Sequence, residues 1–295
     1  MTGTRIIVVL GDDPRARSAV IADRLLEIGG TALVLTGHPE GIDGRLDTAD
    51  DGPVEVRVDD PIARLDAYRS GAVDPDDEVL AALAVGGDSP LAAVLGWEYA
   101  RRAAAVGVWD VVVVELEGGL AGVRRVAAAG ELSAFVESRW PAHRRFASMA
   151  AGDRAGNRVR EAHRLALLAA DVADFLAGPV EVVVVGDETR RTSALAALAR
   201  GAAAPAVTGD GEAGYRVECP VPGPLTAAVS VEAGGLRVEL AGFRAVLPLP
   251  ALLSRCVLVG SHYDTDRGSM VARFVPDPAL WPPNLARSGS ADRSG

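Results

Sequence analysis

The chain has no lysine and no glutamine, and all 30 of its basic residues are arginine. That absence excludes Schiff-base chemistry and removes the ammonium group that ordinarily spans the terminal phosphates of a bound nucleotide. Aromatic residues make up only 4% while hydrophobic residues reach 49%. A core must therefore be assembled from alanine, valine and leucine, a composition suited to helices on a parallel sheet. Cys219 and Cys256 are the only cysteines; they form neither a CxxC pair nor a closely spaced framework, and are read as buried reduced thiols. Apolar runs are short. Stretches such as Val111 to Val114 and Val182 to Val185 fall far below the ~20 residues that cross a bilayer. The N-terminus lacks the arrangement of a signal peptide, so the expected location is cytoplasmic. With a net charge of −10 and no basic run interleaved with aromatics, nucleic acid is not an expected partner.

At 295 residues the chain has room for one large domain or two ordinary ones. The apolar run Ile6 to Leu10, the loop from Gly11 and the helical spacing over Ala16 to Ile28, with Ala19, Ala22, Leu25 and Leu26 on one side, read as strand, loop, helix. Ala32 to Leu35 and Val54 to Val58 continue a βαβ opening to a parallel sheet. Helices are predicted over Pro61 to Ser70 and Leu91 to Ala105, followed by a buried central strand at Trp109 to Val114. From Leu120 to Leu176 the pattern is almost wholly helical, and Val180 to Val185 adds a strand followed by a helix from Thr192. Gly201 to Gly214 is rich in alanine, proline and glycine, and the period then changes from helical to alternating. The expected domains are thus 1–205 (α/β), a linker over 206–214, a β-sandwich over 215–283 and a disordered tail over 284–295. The sandwich strands are predicted at Tyr215 to Cys219, Leu225 to Val231, Leu236 to Leu240, Phe243 to Leu247, Cys256 to Gly260 and Ser269 to Val275.

The first loop reads Gly11-Asp12-Asp13-Pro14-Arg15-Ala16-Arg17-Ser18. In a phosphate-binding loop, glycines let backbone N–H groups converge on phosphate oxygens, a cation spans the phosphates and a hydroxyl holds magnesium. Here Gly11, Arg15, Arg17 and Ser18 keep that frame, but Pro14 removes a donor and Asp12 and Asp13 add repulsion. The competing reading is an ordinary βα turn in which Asp12 or Asp13 caps the helix behind Pro14.

Gly11 to Ser18, the strand Trp109 to Glu115, the run Ala127 to Phe135, the Trp140-Pro141 pair and the C-terminal segments together resemble the arsenite-pump (ArsA-type) ATPase family, which includes targeting ATPases for tail-anchored proteins. Leu247 to Pro250, Arg255-Cys256 and Phe274 to Pro282 are similar to the small heat-shock-protein-like (α-crystallin-like) β domain of bacterial members. The resemblance implies a P-loop NTPase-like parallel sheet with helices on both faces and dimeric ATP hydrolysis. It also implies departures: the family's two loop lysines match Asp12 and Arg17, its magnesium threonine matches Ser18, and its strand-end aspartate matches Glu115. Its first switch falls on Thr36-Gly37-His38-Pro39 without the aspartate, its second on Glu115 to Gly119, and its adenine-reading asparagine on Gly186.

The expected function is accordingly a non-catalytic scaffold, a pseudo-ATPase paired as a homodimer or with an active relative, with no cofactor or with ATP and magnesium held only weakly. The alternatives are an ATPase with unusual ligands and a nucleotide-independent chaperone. The family's hydrophobic client groove maps onto Leu132, Phe135, Val136, Trp140, Phe146 and Met149 with Leu165, Leu168, Val172 and Phe175, for which core packing is the competing reading. A peripheral place at a membrane, reached through a partner, is a further expectation.

Overall fold

A computed structural model describes residues 3–37, 54–71, 89–151, 156–186, 189–200, 206–210, 214–220, 227–232, 235–240, 243–267 and 269–280. His38, Pro39 and the tail from 284 lie outside the described residues. The chain divides into two compact units, Met1–Arg200 and Gly201–Gly295.

The first unit is α/β. Its strands are β1 (Arg5–Gly11), β2 (Ala32–Thr36), β3 (Val54–Val58), β4 (Val111–Glu117) and β5 (Val180–Val185). They form one sheet in the order β3-β2-β4-β1-β5, parallel in every pairing. Its helices are α1 (Pro14–Ile28), α2 (Pro61–Gly71), α3 (Pro90–Val106), α4 (Gly119–Arg139), α5 (Ala142–Ala150), α6 (Asn157–Ala177) and α7 (Thr189–Ala199). The long helical stretch expected after residue 120 is thus three helices, the first break falling at Trp140-Pro141, where proline cannot continue the ladder.

Alternation along the strands decides which side chains meet which helix. Ile7, Val9, Val34, Val111 and Val113 pack with Ile21 and Leu25 of α1. The intervening residues Val8, Leu10, Val112, Val114 and Leu116 are also buried, and Leu10 and Leu116 lie against Gly122 of α4. Helices therefore cover both faces of the sheet. The buried side of α1 carries Arg17, Ser18, Ile21, Ala22 and Leu25; Leu26, expected on that side, is 53% exposed.

In the second unit, β6 (Ala206–Asp210), β7 (Gly214–Pro220), β11 (Cys256–Asp264) and β12 (Ser269–Pro276) make an antiparallel sheet in the order β11-β12-β7-β6. A second antiparallel sheet holds β8 (Ala227–Glu232), β9 (Gly235–Leu240) and β10 (Phe243–Pro248) in the order β10-β9-β8. Alternate residues are buried, Tyr215, Val217 and Cys219 on β7 and Leu236 and Val238 on β9. The segment Ala206 to Asp210, read from composition as linker, is instead a strand paired to β7 from Ala206↔Glu218 to Asp210↔Gly214. The glycines that suggested a linker serve the hairpin: Gly209 and Gly214 hold φ of 120 and 88, values that favour glycine. A Cβ on Gly209 would lie 2.2 Å from the Gly214 carbonyl oxygen.

Candidate functional site

Strands β1 and β4 are neighbours, yet the chain leaves β1 into α1 on one face of the sheet and leaves β4 into α4 on the other. In open parallel sheets, divergence of this kind opens a crevice at the carboxyl ends of the strands, where ligands bind. The Gly11–Asp13 loop and the Glu117–Gly119 loop meet at this point, which brings together Gly11, Arg17 and Glu115.

The local geometry of the first loop follows from its residues. Asp13 is the N-cap of α1, its carboxylate accepting from the Arg15 N–H at 2.9 Å, and Pro14 occupies the first turn, where its missing N–H costs nothing. The Ser18 hydroxyl donates to the Pro14 carbonyl at 2.9 Å, one turn back along its own helix. Arg15 is exposed. A Cβ on Gly11 would stand 2.6 Å from the Val185 carbonyl oxygen, so close packing of β1 on β5 already demands a glycine there.

Arg17 turns inward. It sits on the buried side of α1, opposite Glu115, which shares a sheet face with Val111 and Val113. The Arg17 Nε donates to Glu115 Oε1 at 2.7 Å and its Nη1 to the Gly11 carbonyl at 2.5 Å, while Thr36, at the end of β2, donates its hydroxyl to Glu115 Oε2. The two ionised side chains are 0% and 1% exposed. The Arg17 Nη2 has no hydrogen-bond partner. Such an ion pair is tolerated in a dry interior because each charge compensates the other and the remaining lone pairs are used.

Asp12 completes the closure. Its Oδ1 accepts from the Gly119 N–H at 2.9 Å, so a carboxylate lies at the positive end of α4, where the helix dipole and free N–H groups favour an anion. Gly118, at φ 76, donates its N–H to the Gly11 carbonyl at 2.9 Å. The two loops are thereby bonded to each other across the crevice. Glu117 beside them is exposed.

Sequence reasoning missed two parts of this arrangement. Thr36 was placed in a switch segment and not beside Glu115, and Asp12 was read as repelling phosphate and not as capping a second helix. A second, partly buried cluster was missed altogether. Asp59, just after β3, is paired with both Arg64 and Arg125, and the Trp97 Nε1 donates to the Arg125 carbonyl at 2.7 Å. Arg57 and Arg64 both lie over the Tyr99 ring, at 5.7 and 5.6 Å from its centroid. Asp59, Arg64, Trp97 and Arg125 line a cavity of about 10 Å³, room for a single water.

Of the residues mapped to a client groove, Phe135, Trp140, Leu168 and Phe175 are half-buried, and the others separate into two sets. Leu132, Val136, Leu165 and Val172 are each 0% exposed on the mutually packed helices α4 and α6, and present nothing to a client. Phe146 and Met149, on α5, are 60% and 41% exposed. Among the described residues no group of His, Cys, Asp and Glu is arranged to hold a metal ion, and no helix is long and apolar enough to cross a membrane. No protein-family model matches the sequence, and no curated protein matches it.

Proposed function

We propose that the Met1–Arg200 unit is a P-loop-NTPase-like scaffold of ArsA type that does not turn over nucleotide, and that it works through protein contacts, as partner to a second copy or to a catalytic relative. The observation that carries the proposal is the pairing of Arg17 with Glu115 inside the fold. The cation that would grip phosphate and the carboxylate that would hold magnesium are bonded to each other. Asp12, in turn, places a carboxylate on the α4 N-terminus, where a phosphate oxygen would sit. The sheet order and the resemblance of the loop supply the frame, and these bonds occupy it.

The test is calorimetric titration of the intact chain with ATP and ADP, with and without magnesium, beside a phosphate-release assay. The expected result is neither saturable heat nor magnesium-dependent turnover. The triple variant Asp12→Lys, Asp13→Gly, Pro14→Gly frees the Gly119 N–H, adds a cation and restores backbone flexibility. It is expected to bind nucleotide better than the parent, with affinity falling as salt rises. Tight binding by the parent, or turnover that requires magnesium, would overturn the proposal.

A further inference from the structure

The exposed apolar side chains of the first unit are not scattered evenly. Phe146 and Met149 protrude from α5 at 60% and 41% exposure, and Leu167 from α6 at 55%. Phe146 packs edge-on against His163, with ring centroids 5.6 Å apart and planes at 69°, and Leu167 lies one helical turn beyond His163 on the same side of α6. The three apolar groups therefore share one surface. α5 is held in place through Arg145 and Ala142: Arg145, buried, donates to Glu137 Oε2 at 2.9 Å, and Glu137 Oε1 accepts from the Ala142 N–H at 2.8 Å. Phe146 and Met149 remain exposed beside that anchor.

The segment that carries this surface is richer in arginine than the chain, although Asp171 and Asp174 lie four and seven residues beyond Leu167 on the same side of α6. Between Arg139 and Arg164 the sequence carries seven arginines and two acidic residues, Asp153 and Glu161, within a protein of net charge −10. Arg139, Arg144 and Arg160 are exposed, and the Arg164 side chain is 41% exposed. Arg160 and Arg164 stand seven and three residues before Leu167, on the same side of α6.

We propose that this α5–α6 surface docks on a membrane leaflet rich in anionic lipid, with Phe146, Met149 and Leu167 entering the interface and the surrounding arginines meeting lipid phosphates. A short amphipathic helix lying flat, apolar on one side and arginine-flanked, is the arrangement that interfacial binding requires. Arginine adds bidentate contact with phosphate. The apolar groups protrude, and a protruding surface suits a planar lipid interface, whereas a partner helix needs a groove. The proposal does not depend on the nucleotide reading.

The test is co-sedimentation of the full chain with vesicles of phosphatidylcholine alone and of phosphatidylcholine containing phosphatidylserine, with soluble polyglutamate as a separate ligand. Binding is expected only to the phosphatidylserine vesicles, weakening steeply as salt rises. The variants Phe146→Ser with Met149→Ser, and Arg144→Glu with Arg160→Glu, are each expected to reduce it about tenfold or more, with circular dichroism unchanged. All four positions are exposed, so loss of fold is separable from loss of binding. Failure to bind phosphatidylserine vesicles overturns the proposal. So does loss in the arginine variant alone, which would mark plain electrostatic adsorption, and so does binding of polyglutamate with the same dependence on Phe146, which would assign the surface to an acidic polypeptide.

Discussion

The buried pair of Arg17 and Glu115 has unequal consequences when it is cut in different ways. Glu115→Ala leaves a guanidinium uncompensated in the interior and is expected to lower stability by about 3–5 kcal/mol, as is Arg17→Ala for the mirror reason. The double replacement Arg17→Met with Glu115→Leu removes both charges and keeps most of the volume; it is expected to be close to neutral or stabilising. Denaturant unfolding of Arg17→Met, Glu115→Leu, their double and the parent measures the coupling. If the two single changes add, the pair is not the unit described. Cys219 offers a pH-dependent case. Burial pushes its thiol up from the ordinary 9.0 to about 11. Between those values the unfolded chain has released this proton and the folded chain keeps it, so stability is fully present below pH 9 and falls as pH rises through the window. Cys219→Ala is expected to flatten that decline in thermal melts taken across alkaline pH.

Among the elements, the hairpin β6–β7 shows how a composition signal was misread. Gly209 and Gly214 carry positive φ within paired strands, and Gly209 approaches the facing backbone closely enough that any Cβ must displace it. Gly209→Ala is expected to cost about 1–3 kcal/mol, the range for backbone strain and overpacking, measured as a loss of denaturation midpoint. A linker would absorb the change without effect. At α5, the break after α4 follows from Pro141, but its orientation follows from Glu137. Burial alone would raise the Glu137 carboxyl, yet the Ala142 N–H and Arg145 hold it below the ordinary range. The capping is therefore retained at neutral pH and is lost as pH falls through that depressed value.

For the molecule as a whole, the two units make different demands on the chain. The Gly201–Gly295 unit has its own buried residues, among them Tyr215, Val217, Leu236, Val238, Met270 and Phe274. A fragment beginning at Gly201 is expected to give an all-β circular dichroism spectrum and to melt cooperatively. One beginning at Gly214 forfeits the β6 ladder and is expected to melt lower. Equal melting of the two would show that β6 contributes nothing to the sheet. The Met1–Arg200 unit concentrates its chemistry where α1 and α4 leave adjacent strands on opposite faces, a feature of connectivity rather than of any one residue.

The sequence by itself determined the periodicities, and through them the elements. Continuous valine runs can be satisfied only between two layers of helix, so β1, β4 and β5 were legible. Val54–Val58 and Val180–Val185 were read to the residue, the first from valine alternating with charged residues and the second from its valine run. Asp13 and Pro14 announced the start of α1 by capping chemistry, a local effect. Tertiary structure alone decided which way a charged side chain points. The spacing of Arg17 from Gly11 in a phosphate loop is the same whether its guanidinium faces a ligand or the sheet. Only the register Val9↔Glu115, which sets Glu115 opposite α1, offers it a buried carboxylate. The same holds for Asp12, whose partner Gly119 is distant along the chain. Periodicity is a property of neighbours in sequence, whereas the pairing of charges is a property of neighbours in space.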